Sequence, residues 1–129
     1  DFHEDPRTLF PGTGFENEKG EGIAEGTKMN VVMKAYSDHL PYEKIEEFAE
    51  LARPEFVIMQ AGADGLKNDP LTHLMYPIED YINAVYLTYK IAKKFSHGRM
   101  VMLGGGGYNA DNASKAYYLA VKKIKEEIK

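Results

Sequence analysis

Met100-Val101-Met102-Leu103-Gly104-Gly105-Gly106-Gly107-Tyr108-Asn109 is a short apolar run that stops at four consecutive glycines and a tyrosine. The run reads as a buried strand, and the glycines as the turn that leaves its carboxyl end. Four glycines put no side chain in the way of a ligand or a second backbone, and they take positive φ angles without a Cβ penalty. A tyrosine at the end of such a turn can project its hydroxyl into the space left open. Two readings follow, a catalytic or binding geometry and a tight structural turn, and the first is favoured because a plain strand-to-helix turn needs only one or two glycines.

Outward from this segment the chain alternates. Downstream, Asp111–Ile128 reads as a closing helix. Upstream, Pro77–Phe95 is expected to be a long helix with Ile78, Ile82, Val85, Tyr89 and Ala92 as its inner stripe, ended by His97-Gly98. Glu55-Phe56-Val57-Ile58-Met59-Gln60 is an apolar run between turn signals, the pattern of a parallel strand buried on both faces. Before it, Met29–Met33 is compatible with a strand. Pro41–Ala52 carries Ile45, Phe48, Ala49 and Ala52 at helical spacing and is closed by Pro54. Residues 1–27 are rich in Gly, Pro and charge and show no sustained period. The order β-α-β-α-β-α predicts an α/β fold, a parallel sheet flanked by helices with right-handed crossovers. Open α/β sheets bind ligands at the carboxyl ends of their strands. The stretches 61–76 and 104–109 both leave such ends, which places Asp64 and Tyr108 on one crevice.

Composition narrows the function classes. The 129 residues are enough for a single domain with a core, and 43% hydrophobic with 28% charged residues is ordinary for a globular chain. A net charge of −4 without a basic block disfavours nucleic acid as a partner. No apolar run approaches the roughly 20 residues that span a bilayer, so no membrane partner is expected. The absence of cysteine removes thiolate ligands and nucleophiles, and with no secretory signal it fits a cytoplasmic location. Asp1-Phe2-His3-Glu4 begins abruptly, as if cut from something longer.

Asp64, four residues after a buried strand, is well placed to ligate a metal or orient a base. Capping of a Gly-rich turn is the equal alternative. Asp69, directly before Pro70, reads as a turn former. His3, His39, His73 and His97 have neither the spacing nor the partners of a metal-binding helix. His97 is expected at a helix C-terminus, His39 and His73 in loops. Pro11-Gly12-Thr13-Gly14 lacks the Gly-Lys-Ser/Thr of a P-loop, and the four-glycine run misses the dinucleotide fingerprint, which leaves a nucleotide-binding module as a minor alternative.

Three segments taken together resemble one family. His3-Glu4-Asp5-Pro6-Arg7-Thr8-Leu9-Phe10-Pro11-Gly12-Thr13-Gly14, then Gln60-Ala61-Gly62-Ala63-Asp64-Gly65-Leu66 through Asp69-Pro70-Leu71, then Gly104 to Asn109, look like the ordered motifs of the zinc-dependent histone deacetylases. The Gly-Ala-Asp-Gly form is similar to the acetoin utilization branch and the class I enzymes. The resemblance implies an arginase/deacetylase-type fold, of which residues 1–129 would be the C-terminal part of one catalytic domain. It implies that Asp64 is a Zn2+ ligand and that Tyr108 hydrogen-bonds the acyl carbonyl and its oxyanion. It implies substrate contacts at Phe10, an aromatic wall of an acyl-lysine tunnel, at Leu71 on its rim, and at Gly106 and Gly107 beside the acyl group. The substrate would be an acetylated lysine or a small acetylated amine. In the family the paired histidines and the Asp-x-His ligands lie upstream, and nothing in this chain matches them. The chain therefore carries one zinc ligand of about three. The isolated chain is expected to be inactive and to assemble with the upstream half or with itself. A non-catalytic remnant that acts as a binding or assembly module is the competing reading.

Overall fold

The computed structural model describes residues 1–128. Its elements follow the predicted alternation: β1 (Phe2–Glu4), a short 3-10 turn (Gly22–Ala24), β2 (Val31–Met33), α1 (Lys44–Ala52), β3 (Val57–Gln60), α2 (Ile78–Phe95), β4 (Met100–Leu103) and α3 (Ala110–Glu127). All strand pairs are parallel, β1 with β2 and β3 with β4. The fold is α/β, with parallel sheets flanked by helices.

The helices are punctuated by chemistry that the sequence carries. Glu46 and Glu47 sit in the first turn of α1, and Glu79 and Asp80 in that of α2, where acidic groups meet the positive end of the helix dipole. Arg53, at φ 44°, ends α1 in the left-handed region just before Pro54. His97, at φ 53°, and Gly98 close α2, with the Gly98 N–H reaching the Ala92 carbonyl at 2.9 Å. The Asn109 side chain caps α3 by accepting the Asn112 N–H.

Three expectations need correction. The first concerns the sheet, which is two separate two-stranded pieces rather than one continuous layer. β1 and β3 do not pair, and residues of both line a cavity of about 690 Å³. Second, β3 and β4 are not buried on both faces. Val57, Met59, Met100 and Met102 are half-buried, whereas Ile58 is 69% exposed and Val101 and Leu103 are also exposed. The helices cover one face only, and strand side chains alternate, so the second apolar set stands uncovered. Third, the α2 stripe is rotated. Its buried residues are Tyr81, Ala84, Val85, Thr88, Ile91 and Ala92, while Ile78, Ile82 and Tyr89 are only partly covered. The reason is that α2 packs against both α1 and α3, and Ala84, Val85, Ala92, Ala116 and Ala120 permit that close approach. The N-terminal stretch also holds β1, three residues too short to show a period.

Candidate active site

The loops that follow β3 and β4 run side by side. The Ala61 N–H donates to the Leu103 carbonyl at 3.0 Å and the Ala63 N–H to the Gly106 carbonyl at 2.7 Å, continuing the strand pairing past the strands themselves. This proximity explains the glycines individually. A Cβ on Gly105 would come within 2.9 Å of the Gly62 backbone, and one on Gly106 would overlap the Asp64 carboxylate. Gly107 has φ 138°, a conformation L side chains rarely adopt, whereas a Cβ on Gly104 would meet nothing closer than the Tyr117 hydroxyl at 3.8 Å. At Gly105 and Gly106 the neighbouring loop thus occupies the space a side chain would take, whereas nothing crowds Gly104.

Asp64 is half-buried, and burial pushes its carboxyl pKa up, with the nearby Asp69 adding to the effect. Among the described residues no cation pairs with it. A carboxylate held partly out of water without a counter-charge suits a cation that binds there. The hydrogen bond from its own main-chain N–H, which offsets part of the rise, is the local contact that the turn-capping alternative expects. Tyr76 is buried beside it, its pKa raised mainly by burial and next by the charge of Asp64. Its ring fills the space where a Gly65 side chain would stand. Tyr81, also buried, donates to the Ala61 carbonyl at 2.9 Å and anchors the end of β3.

Tyr108 follows the glycine run with 56% of its surface exposed. Its main chain is fixed, because its N–H donates to Asp69 Oδ2 at 2.9 Å. Asn109 Nδ2 donates to the Asn68 carbonyl at 3.2 Å and Asn112 Nδ2 to that of Lys67 at 2.8 Å, so the start of α3 grips residues 67–69. Leu71 is exposed on the same loop, its N–H held by Asp69 Oδ1. The structure therefore brings Asp64, Gly106, Gly107, Leu71 and Tyr108 onto two interlocked loops. Phe10 stands apart at 93% exposure, beside a separate cavity of about 310 Å³. Asp64 and Gly106 line the larger cavity; Tyr108, Phe10 and Leu71 do not.

The link between Phe10's segment and these loops is Glu4, which sequence reasoning passed over. It is only 2% exposed, and its carboxylate accepts the His73 N–H at 2.7 Å, the His73 ring Nδ1 at 2.8 Å and the Thr8 hydroxyl at 2.8 Å. Thr72, next to His73, donates its hydroxyl to the Asp64 carbonyl. A glutamate inside a charged, Gly/Pro-rich stretch gives no sequence signal of burial. The histidines serve structure: His3 meets the Gly14 carbonyl, His39 the carboxylate of Asp80, and His97 the end of α2. Among the described residues no three His, Cys, Asp or Glu side chains gather as a metal centre, and no helix is long and apolar enough to cross a membrane.

Residues 1–124 match the family model of the histone deacetylase domain. The chain belongs to the histone deacetylase family. It is 36% identical over 113 residues to the acetoin utilization protein AcuC of Bacillus subtilis and 31% identical to that of Staphylococcus aureus, covering 84% of this chain and 29% of each relative. The crystal structure of a histone deacetylase homolog complexed with SAHA superposes with a TM-score of 0.80 at 27% identity, over 92% of this chain and 32% of that one. This member of the deacetylase family thus spans about a third of the length of the relatives it matches.

Proposed function

We propose that this chain supplies the C-terminal half of the active site of a zinc-dependent deacetylase acting on acetyl-lysine or a small acetylated amine. The observation that carries the reading is the interlock itself. A carboxylate without a counter-charge lies against Gly106, and the loop that holds it also holds the main chain of Tyr108. Asp64 fits a zinc site as one oxygen ligand, and about two further ligands must come from outside these residues. Bound zinc would polarise an amide carbonyl and activate water. The residues of this chain do the rest. Asp64 holds its carboxylate ready, partly shielded from water. Tyr108 would supply a hydroxyl donor to the oxygen on which charge develops. In this reading the main chain of Gly106 and Gly107 borders the acyl group, their Cβ positions being taken by Asp64, Ala63 and Ala113. Leu71 stands at the rim, and Phe10, beside the separate smaller cavity, offers an aromatic wall.

The same reading accounts for the open face of β3 and β4. Ile58, Val101 and Leu103 form an uncovered apolar set that the remainder of a catalytic domain, or a second copy of the chain, would cover. The 129 residues alone are expected to bind zinc weakly and to hydrolyse acetyl-lysine peptides at background rate.

The test uses the whole protein that carries these residues. Tyr108→Phe is expected to lower turnover of an acetyl-lysine peptide by about 10²–10³-fold, with zinc retained and substrate binding little changed, because the lost hydrogen bond is strongest in the transition state. Asp64→Ala is expected to act through lost metal, which excess zinc partly restores. Near wild-type turnover in Tyr108→Phe with zinc in place would make the tyrosine structural. Unchanged zinc content in Asp64→Ala would remove the ligand assignment.

A further inference from the structure

Asp69 does more than form a turn. One oxygen, Oδ1, accepts the N–H groups of Leu71 at 2.9 Å and Thr72 at 3.3 Å, and that alone satisfies the turn before and after Pro70. The second oxygen, Oδ2, is not needed for it. It reaches across to a residue 39 positions away and accepts the Tyr108 N–H at 2.9 Å. Thr72, whose N–H Asp69 holds, donates its hydroxyl to the Asp64 carbonyl. One half-buried carboxylate therefore joins the tyrosine loop to the segment bonded to Asp64. Tyr108 also directly precedes the cap of an 18-residue helix, where a negative charge is favoured by the helix dipole.

We propose that Asp69 is a positioning residue for Tyr108: its carboxylate locks the tyrosine main chain to the Leu71–Thr72 turn and thereby sets where the Tyr108 hydroxyl stands relative to Asp64. The proposal rests on the deacetylase reading for its effect on rate, and on the hydrogen bonds alone for its effect on the loop. An amide at this position has only one acceptor oxygen, so Asp69→Asn must give up either the turn or the tyrosine loop. A serine keeps one acceptor for the turn and none that reaches Tyr108.

In the whole protein, both Asp69→Ser and Asp69→Asn are expected to lower kcat on an acetyl-lysine peptide by about 10–100-fold, the scale of a displaced catalytic group, with KM within about twofold and zinc content unchanged. In a Tyr108→Phe background the same substitutions should cost no more than about twofold further, since the hydroxyl they aim is already gone. An equal loss in both backgrounds, or no loss in either, overturns the proposal. Amide hydrogen exchange provides the second readout, independent of chemistry and of whether the protein is a deacetylase. The Tyr108 amide should exchange faster in Asp69→Ser, with helix protection elsewhere retained. A wild type that turns over no acetylated amide would sink the functional reading, while unchanged exchange at Tyr108 would sink the role given to Asp69.

Discussion

Residues 60–76 with 103–112 and residues 6–27 are both glycine-containing, irregular stretches, yet they are built oppositely. In the first, hydrogen bonds cross between loops far apart in sequence: Ala61 to Leu103, Ala63 to Gly106, Tyr108 to Asp69, Asn112 to Lys67. In the second, the main-chain bonds are mostly local, Leu9 to Asp5, Gly12 to Leu9 and Gly26 to Lys19, and the large side chain they present is almost fully in water. Gly62, Gly105 and Gly106 in the first stretch are crowded by a loop far away in sequence. In the second, Gly20 is closed in by Ala24 four residues on, Gly14 by the His3 ring, and Gly22 and Gly26 meet nothing. The contrast separates two demands. Groups that must meet a reacting atom need a preorganised frame, while groups that only border a ligand can sit on a segment whose main chain is held mostly by local bonds.

Gly106→Ala would break the interlock most directly. Its Cβ would overlap the Asp64 carboxylate, so the carboxylate or the loop has to move. The expected cost is about 1–3 kcal/mol of stability from overpacking. Metal affinity in the whole protein should fall by about 10–100-fold, the scale of a disturbed ligand orientation. Gly104→Ala is the internal control, because the nearest atom to its Cβ is 3.8 Å away. Equal zinc content and equal stability in the two variants would show that the glycine run is interchangeable and that the packing against Asp64 decides nothing.

Much of this frame was legible in the sequence. The alternation of elements could be read because helix spacing in 41–52 and 77–95 and apolar runs at 55–60 and 99–103 are local signals. Asp64 and Tyr108 could be placed on neighbouring loops because parallel strands send their carboxyl ends to one side. What stayed hidden depends on long-range partners. Nothing in Asp69-Pro70 shows that its second oxygen meets Tyr108, and nothing in His3-Glu4-Asp5 shows that Glu4 is buried. The exposed set Ile58, Val101 and Leu103 was misread because an apolar run looks alike whether one face or both are covered within the chain.

Glu4 is the tether between the two regions, and its loss should be felt next most strongly. Burial alone would raise its pKa, but the His73 main chain, the His73 ring and the Thr8 hydroxyl outweigh that and hold it below the ordinary value of 4.5. The folded state therefore favours the charged form. Its contribution is complete above about pH 4.5 and is lost as pH falls through the lowered folded value. Asp5 behaves alike, held down to about 2 by the Arg7 side chain and main chain. Glu4→Gln keeps a single acceptor oxygen for three donors and is expected to cost about 1–2 kcal/mol in urea unfolding at pH 7. The gap between variant and wild type should narrow below pH 4.5. A gap that stays constant across that range would mean that shape rather than charge makes the tether.

Phe10 should show the smallest effect on folding and thereby sharpen the contrast. With 93% of its surface in water it contributes little to the core, and Phe10→Ala is expected to change stability by less than about 0.5 kcal/mol. Its consequence belongs to substrate. If Phe10 forms one wall of the acyl-lysine tunnel, its aromatic face contacts the ground state and the transition state alike. Uniform binding of that kind appears in KM and leaves kcat alone. Phe10→Ala in the whole protein should therefore raise KM for an acetyl-lysine peptide by about three- to tenfold, with kcat within about twofold. Leu71→Ala makes the informative comparison, since its N–H is held by Asp69 while its side chain is exposed. If both side chains border the substrate, both variants should raise KM without touching kcat, whatever the rigidity of the backbone behind them. An unchanged KM in Phe10→Ala beside a raised one in Leu71→Ala would confine the substrate rim to the interlocked loops and leave the N-terminal segment outside it.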